Sequence, residues 1–280
     1  MTAAEWTMSV EMGCIYGMVA LGIYLTFHVI DFADLTCDGS FVLGAATSSI
    51  CIKSGWNPWM ALVLASLAGG FAGYATALLY TRCKIKDLLA GILVAFMLYS
   101  VNLRVMGGLP NITLTHQMTL FTGSSPLFLL AGGSWLFCSY LLSSDWGLAL
   151  QSVGQNRKLA LNCGVAIEPM IQVGLSLSNG FIAMGGALFS QHQRFADISS
   201  GTGTVIVGLA AVMIGQRILP LRSPWIALLS CFLGSILYRI LMSVALHSEL
   251  LGLETRDLNL VTGLLIILVM LIGRKKSCSH

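Results

Sequence analysis

What most constrains this chain is a series of long stretches almost free of charge. Residues 12–30, 59–80, 88–104, 126–142, 170–190, 225–246 and 258–272 are each predominantly apolar. A hydrocarbon core about 30 Å thick is crossed by about 20 such residues at roughly 1.5 Å apiece. Only 10% of the 280 residues are charged and the mean hydropathy is +0.83, whereas a soluble domain carries charge on about a quarter of its residues. The expectation is an all-α polytopic membrane protein, a single transmembrane domain over 1–280. Glu5 and Glu11 occur in the first twenty residues without any basic residue, so the first apolar stretch lacks a signal peptide's positive flank and is expected to remain as a span.

Two further apolar stretches, 41–52 and 205–215, would be only about 16–18 Å long as helices. Each follows the same phrase: FADLTCDGSFVLGAA from Phe32 and FADISSGTGTVIVGLAA from Phe195. Lys and Arg accumulate on the cytoplasmic side of membrane proteins. If every stretch crosses once and the N-terminus lies outside, ten of the fifteen basic residues fall inside: Arg82, Lys84, Lys86, Arg157, Lys158, Arg217, Arg222, Arg274, Lys275 and Lys276. About nine membrane segments then leave the C-terminus cytoplasmic, and the two phrases, five crossings apart, run in opposite directions. This predicts two inverted-topology halves, about 1–125 and 165–280, joined by a span and the inner loop 143–169. Paired short, glycine-interrupted segments in inverted halves point to a transport pathway near the midplane, because broken backbone survives at that depth only inside protein or beside a wet cavity.

Asp34, Thr36, Asp38 and Ser40 in the first phrase, and Asp197, Ser199, Thr202 and Thr204 in the second, are residue types that cap helix N-termini. The same oxygens can line or gate a passage. Asn102 and Arg104 fall in LYSVNLRVMGGLPN, where the arginine can snorkel to the interface or pair with an acid such as Asp197. Gly69 with Gly73, and Gly185 with Gly186, are expected to permit close helix packing. The loop segment DWGLALQSVGQNRKLALNCGVAIEP, with leucines around Gly154, needs either a protein surface or the inner leaflet to cover it.

Several chemistries are disfavoured. Eight scattered cysteines form no CxxC pair, and five histidines show no ligand spacing, so neither a metal site nor a membrane enzyme is indicated. No GxxxxGK[ST] occurs, so the chain is expected to bind no nucleotide cofactor of its own. Nothing suggests nucleic acid. A secondary transporter is the alternative left by the inverted phrases, but it calls for coupling carboxylates deep in the spans, and the full spans carry none away from their ends.

The loop residues Gly147, Ala149, Gly154, Asn156, Ala160 and Gly164 resemble the Gly-x-Ala, Gly-x-Asn, Ala, Gly pattern of permease subunits of ABC importers, in the group that includes the branched-chain amino acid and ribose permeases. The combination of FADLTCDGSF, LLAGILVAFMLYSVNLRVMGGLPN and GLAAVMIG is more narrowly similar to permeases labelled as tryptophan/tyrosine transport components. The resemblance implies that residues 147–164, Arg157 included, dock on the ATPase. It also implies a homodimer of permease chains in a bacterial inner membrane, cytoplasmic ATPase subunits holding ATP and Mg, and an extracytoplasmic solute-binding protein. The solute would be small, an amino acid and by preference an aromatic one, carried by alternating access. Gln151 departs from the pattern, since relatives often carry arginine there.

Overall fold

The computed structural model describes residues 3–115, 117–121, 125–219, 223–247 and 263. The expected span 258–272 apart from residue 263, together with Arg222, Arg274, Lys275 and Lys276, lies outside them. So do Glu249, Glu254, Arg256, Asp257 and His116. The helices are α1 (Ala3–Tyr24), α2 (Thr36–Lys53), α3 (Pro58–Thr81), α4 (Asp87–Val105), α5 (Ser125–Ser143), α6 (Asp145–Gln155), α7 (Arg157–Asn162), α8 (Ile167–Gln193), α9 (Thr204–Ile218) and α10 (Pro224–His247). A π-turn, Leu25–Val29, extends α1, and a 3-10 turn, Ile198–Gly201, precedes α9. Among the described residues, seven helical segments are long and apolar enough to cross a membrane.

Helix boundaries follow local chemistry. Asn57 accepts a hydrogen bond from the Trp59 N–H at 3.0 Å and Pro58 opens α3, a pairing suited to a first turn whose N–H groups lack intrahelical partners. Ser144 and Asn156 cap α6 and α7 in the same way. At the far end of α8, Arg194 adopts the left-handed conformation (φ 59°), which stops the helix.

One expectation is corrected. The stretch 41–52 is not a short half-helix: α2 starts at Thr36 and has 18 residues, about 27 Å long. It is buried over most of its length, packed on α3, α8 and α4 rather than on lipid. Nor do the two phrases fold alike. The first passes from irregular backbone directly into α2, whereas the second forms strand β2 (Phe195–Asp197), then the 3-10 turn, then α9. Gly201 and Gly203 are the difference. Gly203 sits at φ 83°, a conformation that favours glycine and delays the helix to Thr204. Strand β2 pairs antiparallel with β1 (Asn111–Thr113), Asn111 opposite Asp197, so this all-α bundle carries one small ladder.

The centre of the bundle is α8, packed against α3, α2 and α1. As anticipated from their size, Gly69 and Gly73 of α3 bring its backbone onto α8: a methyl on Gly73 would overlap the Leu175 carbonyl oxygen. Among apolar chains in lipid, contact area is the main source of helix association, and small residues maximise it.

Candidate functional site

The break between α1 and α2 lies opposite Asn179, roughly 18 Å along a helix about 40 Å long, and so near mid-depth. Its polar groups are satisfied internally. Asp34 is buried, with Oδ1 accepting from the Thr36 N–H at 2.8 Å and Oδ2 accepting from Asn179 Nδ2 at 2.7 Å. Ser40 donates to Asn179 Oδ1 at 2.7 Å, and the hydroxyls of Thr36 and Thr76 are 2.7 Å apart. Three helices are thereby joined through one buried network. Unpaired, each of these groups would cost several kcal/mol at this depth.

The two phrases meet through Asp38. Its Oδ1 accepts from the Val205 N–H at 2.9 Å and its Oδ2 from the Gly203 N–H at 3.2 Å. Gly203, the N-cap of α9, has no side chain with which to cap it. An aspartate from the first phrase therefore caps the helix of the second, placing its negative charge where the helix dipole favours it. Thr204 donates to the Gly201 carbonyl at 2.8 Å.

Toward the other end of α8, Asn102 donates to the Gly39 carbonyl at 3.1 Å, and Asp197 accepts from Asn111 at 3.2 Å and from the N–H and hydroxyl of Ser199. The Ser199 hydroxyl, with that N–H and Asn111, holds the Asp197 carboxyl below the usual range despite partial burial. Among the described residues Arg104 is exposed and forms no ion pair with Asp197, so of the two alternatives for this arginine the structure adopts the solvent-facing one. Thr202 is exposed and donates to the Ser199 carbonyl at 2.8 Å. The ten polar positions thus fall into two groups. Asp34, Thr36, Asp38, Ser40, Asn102 and Thr204 are bound up inside the bundle, whereas Arg104, Asp197, Ser199 and Thr202 lie toward its surface.

One face of the loop 143–169, that of Gly147, Leu150, Val153 and Ala160, is covered by the chain itself. A side chain on Gly154 would overlap the Val29 carbonyl oxygen of the π-turn, and one on Gly147 would overlap the Leu141 carbonyl oxygen. Ala160 is buried, Ala149 half-buried, and Gly164 ends α7 at φ 83°. Arg157 donates to the Tyr80 hydroxyl and lies 5.5 Å over its ring, and it reaches the Asp31 carbonyl at 3.5 Å. Gln151 donates to the Leu142 carbonyl at 3.0 Å, satisfying the end of α5. The outer face of α6 and α7 is different: Leu148, Leu159 and Leu161 are 55%, 60% and 62% exposed, beside exposed Lys158.

Residue-type reading of the sequence passed over Asn179 and Thr76. An amide inside an apolar span, SLSNGF, was the available signal, because polar groups at that depth need a partner.

Among the described residues, ten helices around one buried mid-depth break, with an exposed apolar and basic helical pair at one end, form an architecture suited to a transport permease driven from outside its own chain. Residues 7–272 match the family model described as branched-chain amino acid transport system / permease component, and the chain belongs to this family: it is a permease component of an ABC importer and not itself the ATPase. It is 35% identical over 263 residues to a tyrosine transport system permease protein of Clostridioides difficile, covering 92% of this chain and 88% of that one. Identity to an uncharacterised protein of Rickettsia prowazekii is also 35%, over 93% and 94%. A ribose import permease of Bacillus subtilis is 22% identical over 94% and 82%. A solved structure described as an inward-facing conformation of a metal-chelate type ABC transporter superposes with a TM-score of 0.58 at 16% identity, covering 96% and 86%, a likeness of fold. The chain is thus a multi-pass membrane protein of a bacterial ABC importer, a class that works with ATPase and binding-protein partners. A secondary transporter is set aside.

Proposed function

We propose that two copies of this chain form the pathway by which an amino acid, by preference tyrosine or another aromatic one, enters the cell. The named function of the Clostridioides relative supports this substrate. The orientation follows the positive-inside argument: N-terminus outside, C-terminus cytoplasmic, about nine segments in inverted halves. The binding protein delivers the solute to the outer face, and the ATPase subunits, which hold ATP and Mg, dock on α6 and α7.

The observation that carries this reading is how α6 and α7 are attached. Their inner face is held by Gly154 against Val29, and by Arg157 against Tyr80 and Asp31, while three leucines point outward. Val29 and Asp31 directly precede Asp34. A push on the leucine face therefore moves the segment that leads into the buried network, and Asp38 carries the displacement to α9. Alternating access arises as these packed elements switch together.

The test is reconstitution in proteoliposomes with the ATPase and the binding protein. Tyrosine uptake should require ATP. Leu159→Asp should abolish stimulation of ATP hydrolysis by loaded binding protein, because a charge buried at a protein contact costs a few kcal/mol. Unchanged stimulation would remove this face from the coupling path.

A further inference from the structure

A second feature lies at the same end of the bundle, apart from the polar network and adjoining the leucine face, with which it shares Leu161. A cavity of about 630 Å³ opens between the end of α3, the start of α4 and the α7–α8 junction, and its charged lining consists of Lys84, Lys86, Arg157 and Glu168. Glu168 is engaged by Lys84 at 3.1 Å, and Arg157 is oriented by Tyr80. Three cations against one acid leave the cavity with surplus positive charge. The first turns of α4 and α8 both begin here, at Asp87 and Ile167, without a side-chain cap and with an acid in each, Asp87 and Glu168, so the surplus positive charge comes from the side chains and not from the helix ends.

Position and wall chemistry select the occupant. Three candidate spans end or begin at this level, at Thr81, Asp87 and Ile167, which places the cavity in the headgroup layer of the bilayer. The rest of the wall is mostly apolar, with Ile85, Leu161, Ile167 and Ile171 beside Tyr80 and Thr81. Cationic side chains together with apolar ones between membrane helices match a phosphate ester joined to acyl chains. We infer that this cavity binds the phosphate headgroup of an anionic phospholipid, held by Lys86, Arg157 and the Lys84–Glu168 pair.

The full chain purified in mild detergent, with phosphatidylglycerol or phosphatidylcholine titrated and bound lipid read by native mass spectrometry, tests this. Phosphatidylglycerol should be retained in preference to phosphatidylcholine. Lys86→Gln should weaken its retention about fivefold, as for one basic residue at a membrane surface. Glu168→Gln should strengthen retention, since it removes the one acid of the lining and releases Lys84, an opposite sign that a variant merely unfolding would not give. Equal retention of the two lipids would overturn the inference. So would displacement of phosphatidylglycerol by excess inorganic phosphate, which would mark a site for the free anion. Loss of co-purifying ATPase in Lys86→Gln with lipid retention intact would also overturn it, because the cavity would then be part of the protein interface.

Discussion

At Asn179 one amide satisfies two groups at mid-depth: it donates to Asp34 Oδ2 and accepts from the Ser40 hydroxyl. Asn179→Leu keeps the branched shape of the side chain and removes both bonds, leaving a buried carboxyl oxygen without its donor. Such losses cost about 1–3 kcal/mol, and more where the orphaned group is charged. The detergent-solubilised variant should melt several degrees lower, whereas Thr202→Ala, at an exposed hydroxyl, should leave the melting temperature in place. Equal melting of Asn179→Leu and the parent would mean that the network contributes nothing to stability. Asn156 allows a cleaner substitution. It caps α7 by accepting from the Leu159 N–H at 3.1 Å, a role that aspartate fills equally well. Asn156→Asp should therefore fold and insert normally and show its added charge only in coupling to the ATPase.

At the scale of elements, Gly154 separates intramolecular packing from partner docking. The resemblance puts Gly154 in the segment implied to dock on the ATPase, where an added side chain would disturb that contact. In the fold it would strike the π-turn of the same chain. Gly154→Leu should therefore lower the amount of folded protein even without the ATPase, by about 1–3 kcal/mol of overpacking, which thermal unfolding of the permease alone will read. A second prediction concerns α2 and α9. Ser40 and Thr204 are buried and Thr202 is exposed, so in a cysteine-free background Thr202→Cys should react with small hydrophilic thiol reagents. Ser40→Cys should stay inert unless nucleotide and binding protein drive the chain to another conformation. Rapid labelling of Ser40→Cys in the resting chain would contradict the sealed junction.

For the whole molecule, orientation is the open variable and charge is its predictor. Cys83 and Cys163 are exposed and lie at the end where Lys84 meets Glu168, whereas Asn111 is exposed in the ladder at the opposite end. Restored singly in a cysteine-free background, Cys83 and Cys163 should be labelled by impermeant reagents only from the cytoplasm, and Asn111→Cys only from outside. Labelling of both groups from one side would overturn the inverted halves.

Much of this architecture is written locally. Spans long enough for the hydrocarbon core and the small residues of α3 act through neighbours in sequence or through solvent, so a linear reading finds them; the caps Asn57 and Ser144 are equally local but stand out only once the helix starts are known. It also marked the two FAD phrases as special and the 147–164 segment as needing a cover. What it could not assign was which groups pair across the fold. Asp34 turns to Asn179 and Asp38 to α9, contacts separated by 145 and 165–167 positions. Helix α2 reads as too short because its first turn is polar, yet that turn is helical because Asn179 and Thr76 supply its partners. Periodicity and composition record how each segment meets water or lipid. The choice of buried partner depends on which backbones approach closely enough to exclude both, and only the packed bundle decides that.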